Sequence, residues 1–184
     1  MAARLKQVQV YPHIIRKNRN SVAVLNGKET LEEIKTLGLD IFSYFGLGCR
    51  NVSKLIIPKD YCFDQFFENI EHFEWIYMHN KYANNYDYNK SVYLMNQVQH
   101  YDNGFVIVKE DMGLSSPIGV LYFQYYENIN YVKEYLNLNQ ELIQCVVSGN
   151  EIVPNTIPFG KAQQPELWDY ADNVDTMEFL LNLK

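Results

Sequence analysis

The sequence predicts an α/β protein with a mostly parallel central sheet flanked by helices. Short, β-branched apolar runs closed by turn residues recur along the chain, and between them lie segments whose apolar residues repeat at helical spacing. Parallel neighbours in a sheet need crossover connections, and this alternation of strand and helix supplies them. At 184 residues the chain has the length of one well-buried domain, and it is read as a single domain over 1–184.

The elements follow in order. Ser21-Val22-Ala23-Val24-Leu25 reads as a buried strand closed by Asn26-Gly27. Thr30-Leu31-Glu32-Glu33 has the form of a capping box, and Leu31, Ile34, Ile41 and Phe45 then share a helical face that Gly46 ends. Lys54 to Pro58 resumes as a strand, which leaves Cys49 in the loop between helix and strand. Phe63, Phe66, Phe67, Ile70, Phe73 and Tyr77 predict a second amphipathic helix. Tyr82 to Asn89 shows no clean period, and a helix is expected over Lys90 to Val98. Phe105–Val108 and Gly119–Phe123 read as strands with a turn between them, over Asp111 to Pro117. A helix over Asn128–Leu138, a strand over Ile143–Val147 ended by Ser148-Gly149-Asn150, and a terminal helix over Asp175–Leu183 complete the series.

Composition excludes several classes of function. A formal charge of −6 without any block of Lys or Arg leaves no electrostatic footprint for nucleic acid. No apolar run reaches membrane-spanning length, and Met1 to Lys6 is not followed by an apolar leader core, so a soluble protein without a membrane span is expected. Cys49, Cys62 and Cys145 are an odd number without metal-ligand spacing, which argues against a disulfide framework or a zinc site and for a reducing cytoplasm. With 15 Tyr and 10 Phe the core should be rich in aromatic rings.

Cys49 carries the strongest chemical signal. In Phe45-Gly46-Leu47-Gly48-Cys49-Arg50-Asn51-Val52-Ser53-Lys54, two glycines allow a sharp turn and a close approach of substrate, and the Arg50 guanidinium could favour a thiolate. The opposing reading is a structural thiol packed as a small hydrophobe. A Cys-His hydrolase would need His13, His72, His79 or His100 against Cys49, which no spacing demonstrates. Asp169, Asp172 and Asp175 read as caps or a solvated face. Trp168 and Tyr170 read as core aromatics or the lining of a substrate tunnel.

From about Tyr11 onward the order of parts resembles the catalytic domain of the aldehyde dehydrogenase superfamily. Within it, the chain resembles the bacterial acyl-CoA reductases of the bioluminescence fatty-acid reductase type. The resemblance rests on the run from Gly46 to Lys54, on Ser116-Pro117-Ile118-Gly119, and on Ile157-Pro158-Phe159-Gly160-Lys161-Ala162-Gln163-Gln164-Pro165-Glu166-Leu167-Trp168-Asp169-Tyr170. It implies an aldehyde dehydrogenase-like fold and an NADPH-dependent reduction of fatty acyl-CoA to fatty aldehyde through a thioester on Cys49. It also implies that Gly48, Arg50, Asn51, Phe159 and Gly160 contact substrate. Such a thioester exchange costs little, and it splits a difficult reduction into two easier steps.

Three features depart from that pattern. The hydrolytic members place a glutamate base where this chain reads His13-Ile14-Ile15-Arg16-Lys17, and the absence of a carboxylate there suits a reductase, whose acyl-enzyme must not be hydrolysed. The superfamily's ribose-holding glutamate would fall near Leu114-Ser115-Ser116, where no acidic residue occurs. No Gly-rich nucleotide-binding fingerprint is present either, so the nucleotide-binding domain is expected to lie outside this chain. That missing domain would be a partner, reduction would not proceed without it, and an exposed domain interface would invite a homo-oligomer. A separate reading makes the tyrosine-rich stretch from Tyr77 to Tyr101 a protein-interaction surface.

Overall fold

The computed structural model describes residues 12–15, 18–149 and 153–183. The expectations that touch Met1 to Lys6, Tyr11, Arg16, Lys17 and Asn150 lie outside the described residues.

Six strands form one sheet: β1 (Asn20–Val24), β2 (Val52–Pro58), β3 (Tyr101–Asp102), β4 (Ile107–Glu110), β5 (Val120–Tyr126) and β6 (Ile143–Ser148). Their spatial order is β3-β4-β5-β2-β1-β6, parallel throughout except for β3 against β4. The helices are α1 (Leu31–Phe42), α2 (Phe63–Ile70), α3 (Asn80–Met95), α4 (Ile129–Leu138) and α5 (Thr176–Leu181). The expected mixed α/β architecture with a mostly parallel sheet is therefore the one observed.

Central strands buried on both faces explain why they read as continuous apolar runs. In β1, Val22 and Val24 join one cluster with Ile56 and Val132, and Ala23 joins the other with Leu55, Ile57, Leu37 and Phe66. The capping box forms as read: the Thr30 hydroxyl accepts from Glu33 N while the Glu33 carboxylate accepts from Thr30 N. Asn128 and Asp175 cap α4 and α5, their side chains accepting from Tyr131 N and Glu178 N.

Three local expectations change. First, α1 stops at Phe42 rather than running to Phe45, and Leu31 is exposed. Tyr44, Phe45 and Gly46 all take left-handed backbone, with φ of 52°, 60° and 73°. For the two aromatic residues this costs on the order of 1 kcal/mol each. Second, Tyr82–Asn89 is helical. Its buried face is Tyr82, Tyr86 and Asn89, whose polar tips reach Phe105 O, the Asp102 carboxylate and Ile118 O. A period search weighted towards aliphatic residues does not see such a face. These two tyrosines serve the core, and only part of the tyrosine-rich stretch is left as a surface. Third, β4 and β5 run parallel, so Asp111–Gly119 is a crossover rather than a hairpin turn. Lys54 Nζ donates to Asp111 O (3.0 Å) and Ser53 Oγ to Leu114 O (2.6 Å), which ties this crossover to β2.

Gly119 lies where that crossover passes α3. Its φ is +78°, and a Cβ there would stand 2.8 Å from Tyr86 Cβ and 2.9 Å from Tyr86 Cα. Gly119→Ala is expected to destabilise the fold by about 2–3 kcal/mol, from left-handed strain plus a clash with backbone that cannot swing away. Urea unfolding measures this, and a variant as stable as the parent would contradict the packing described.

Candidate active site

Cys49 is exposed on the turn Gly48–Asn51, immediately before β2. Asn51 builds this turn. It is 2% exposed, and its Nδ2 donates to the carbonyls of Asp40 (3.1 Å), Ile41 (3.2 Å) and Ser43 (2.8 Å) while its Oδ1 accepts from Gly48 N (2.8 Å). One amide thus satisfies carbonyls at the end of α1 and holds the left-handed Tyr44–Gly46 segment against the turn. A Cβ at Gly48 would stand 2.8 Å from Asn51 Oδ1, so a glycine fits there.

The carbonyl of Cys49 is held from the other side. Ser21 Oγ donates to Cys49 O (3.0 Å) and lies 3.0 Å from Cys145 Sγ. With the Ser21 proton committed to Cys49, the Cys145 thiol is the donor of that second bond. Burial pushes the Cys145 thiol up from its ordinary range, so Cys145 stays protonated. Ser21 thus joins the backbone of the exposed Cys49 to the thiol of the buried Cys145.

Phe159 and Gly160 are brought to the same place by residues that sequence reasoning missed. Asp40 is fully buried on the otherwise apolar face of α1, beside Leu37 and Ile41, and accepts from Gly160 N (2.6 Å) and Ala162 N (2.9 Å). Arg50 Nε donates to Ala162 O, and its guanidinium stands 4.0 Å from Asp169. Gly160 has φ +79° and Thr36 at 3.0 Å from the position of a Cβ, while Phe159 is buried in the core. A carboxylate in the apolar stripe of an amphipathic helix was the available sequence signal for Asp40.

Several expected roles change at this point. Arg50 donates its Nε proton to Ala162 O and faces Asp169, and it lines a cleft of about 560 Å³ with Gln144, Cys145 and Asn155. The Asn51 amide is spent on the turn, which removes it as a direct substrate contact. Trp168 is 70% exposed and Tyr170 is exposed too, so neither fills a core. Asp169 and Asp175 cap turns, accepting from Glu166 N and Glu178 N, in line with the capping reading. His79 stacks on Phe45 (4.1 Å), His72 packs on Phe73 (4.1 Å), and His100 lies 2.7 Å from Val98 O. These contacts lend no support to a Cys-His pair. Among the described residues no group of three or more His, Cys, Asp or Glu is placed to hold a metal ion, and no helix is long and apolar enough to cross a membrane.

Burial pushes the Asp40 carboxyl up to about 6, against the lowering effect of its two backbone hydrogen bonds. The ordinary value is 3.8, so between there and about 6 the folded protein binds a proton that the unfolded chain releases. Asp40 therefore favours the fold at low pH and withdraws that support as pH rises through this window. Relative to Asp40→Asn, the parent is expected to lose about 2 kcal/mol more stability between pH 4 and pH 7. Urea titrations of both proteins at the two pH values check this, and parallel pH dependence would contradict it.

No family model matches the chain, and no curated protein matches it. Solved structures do. The chain is similar to an NAD-dependent aldehyde dehydrogenase from Sinorhizobium meliloti, with 10% identity and a TM-score of 0.50, covering 74% of this chain and 34% of that one. It is similar to an oxidoreductase from Marinobacter aquaeolei (9% identity, TM-score 0.51, 74% and 34% covered). A third is the Δ-pyrroline-5-carboxylate dehydrogenase from Mycobacterium tuberculosis bound with NAD (12% identity, TM-score 0.50, 82% and 34% covered). The class is thereby defined as an aldehyde dehydrogenase-like α/β fold. The chain spans about a third of the length of these structures.

Proposed function

We propose that this chain is the catalytic, cysteine-bearing domain of an oxidoreductase, and specifically of an acyl-CoA reductase that makes fatty aldehydes. The observation that carries the proposal is the exposed Cys49, set on a turn whose backbone is held by Ser21 and Asn51 and braced by the Gly160–Ala162 segment. The acyl-CoA class comes from the sequence resemblance, and the fold is consistent with it.

The Cys49 thiolate attacks the thioester carbonyl. Its sulfur forms a bond to that carbon, the bond from carbon to the coenzyme A sulfur breaks, and the departing thiolate takes up a proton. Among the described residues the N–H groups of Gly48 and Asn51 are already bonded within the turn, to Asn51 Oδ1 and Gly48 O. The N–H groups of Cys49 and Arg50 are the turn's donors for the transient oxyanion.

NADPH belongs to the proposal as the hydride donor, held by a nucleotide-binding domain outside this chain. The stretch expected to meet its ribose does not fit it: Leu114 O accepts from Ser53, Ser116 Oγ donates to Val120 O, and no carboxylate is present. The chemistry assigned to this chain therefore stops at the acyl-enzyme. Free thiols at Cys49, Cys62 and Cys145 suit a reducing cytoplasm.

The test is intact-mass spectrometry after incubation with medium- and long-chain acyl-CoA, together with quantification of released coenzyme A. One acyl group per chain with one coenzyme A released is expected. Release of coenzyme A with free fatty acid and no adduct would identify a hydrolase instead.

A further inference from the structure

We propose that Asp40 is a positioning residue for the Cys49 turn: its ionised carboxylate fixes the Gly160–Ala162 segment, and that segment fixes Arg50, the immediate neighbour of Cys49. The proposal rests on Cys49 being the reactive group, but not on the acyl-CoA substrate.

The geometry is a closed circuit. The Ala162 peptide is gripped at both ends, its N–H by Asp40 Oδ1 and its carbonyl by Arg50 Nε. On the next residue, Asn51 Nδ2 donates to the backbone carbonyl of the same Asp40. Arg50 and Asn51 are therefore both tied to Asp40, one through Ala162 and one directly, and Cys49 precedes them. A carboxylate buried in an apolar helical face, in the last turn of α1, is disfavoured by desolvation and by the helix dipole. Its compensation is the hold on two N–H groups that lie 120 and 122 residues further along the chain.

Among the described residues Cys145 of β6 is an ionisable neighbour of Asp40, and its thiol feels the charges of Arg50, Asp40 and Cys49. Asp169 lies beyond Arg50, and Lys161 is exposed and turned to Gln164. A protonated carboxyl keeps a single good acceptor, and its hydroxyl would oppose an N–H, so at least one of the two bonds is lost on protonation. Burial sets that event near pH 6.

The test measures amide hydrogen exchange at Gly160 and Ala162, and the alkylation rate of Cys49 by iodoacetamide, from about pH 5 to about pH 8 in a Cys62→Ser background. Exchange is corrected for its intrinsic pH dependence, and alkylation for the thiolate fraction of Cys49. In the parent both readouts are expected to change about tenfold across pH 6, the scale of one charge-assisted hydrogen bond, and in Asp40→Asn both are expected to be flat. Should Asp40→Asn fail to fold, Arg50→Gln carries the test. There the exchange step at pH 6 persists while the alkylation step disappears. Exchange without a step, or an unchanged alkylation step in Arg50→Gln, overturns the proposal. Neither readout uses acyl-CoA, so failure of the substrate assignment would leave this result standing.

Discussion

Cys49→Ala is expected to take up no acyl group from any acyl-CoA, while Cys62→Ser keeps full uptake. The difference follows from placement. Cys49 is exposed and its backbone is held by Ser21 and the Asn51 turn, Cys145 is buried and protonated, and Cys62 sits exposed at the start of α2 beside Asp64. Exposure alone does not separate Cys49 from Cys62. The separation comes from the turn that Ser21 and Asn51 brace around Cys49; Cys62 is the N-cap of α2 and no such brace holds it. Because the Cys49 side chain is exposed, Cys49→Ala should also unfold within about 0.5 kcal/mol of the parent, so loss of the adduct cannot be ascribed to loss of structure. Intact mass and urea unfolding of the same preparations measure the two quantities. An adduct that persists in Cys49→Ala and maps to Cys62 would remove Cys49 from its role, and equal alkylation rates at the two exposed thiols would favour the interaction-module reading over catalysis.

Asn51→Ala is expected to cost about 3–4 kcal/mol and to slow acylation of Cys49 in whatever protein remains folded. Its amide serves three carbonyls and one N–H, and alanine leaves all four without that partner at the buried junction between α1 and β2. The left-handed Tyr44 and Phe45 are then free to relax, and the turn loses the geometry that presents Cys49. Asn51→Asp separates this account from a simple volume effect. Aspartate keeps the size and the acceptor for Gly48 N, but it sets a carboxylate against three carbonyl oxygens, so it should be no better than alanine. Chemical denaturation with the mass assay checks both variants, and a stable, acylated Asn51→Asp would refute the clamp.

Much of the fold was legible because its signals are local. The capping box at Thr30–Glu33, the β-branched run at Val22–Leu25 and the proline ending β2 each act within a few residues, and the structure places elements there. Where the reading failed, burial was carried by polar-tipped residues. Tyr82, Tyr86 and Asn89 form a core face only because Phe105, Asp102 and Ile118 stand opposite to accept their hydrogen bonds. The parallel pairing of β4 and β5 was likewise hidden, since it depends on Lys54 and Ser53 of another strand drawing the crossover back along the sheet.

The same division runs through the candidate site. The alternation of strand and helix, and a thiol just after two glycines at the start of a strand, were legible in the chain alone, because propensity, period and spacing are properties of neighbouring residues. It took the tertiary structure to make Asn51 a clamp on the turn, to set Arg50 against Ala162, and to let Asp40 join the Cys49 turn to a segment 120 residues away. A buried polar group takes its role from the partner that satisfies it, and that partner is chosen by packing across the fold, not by distance along the chain.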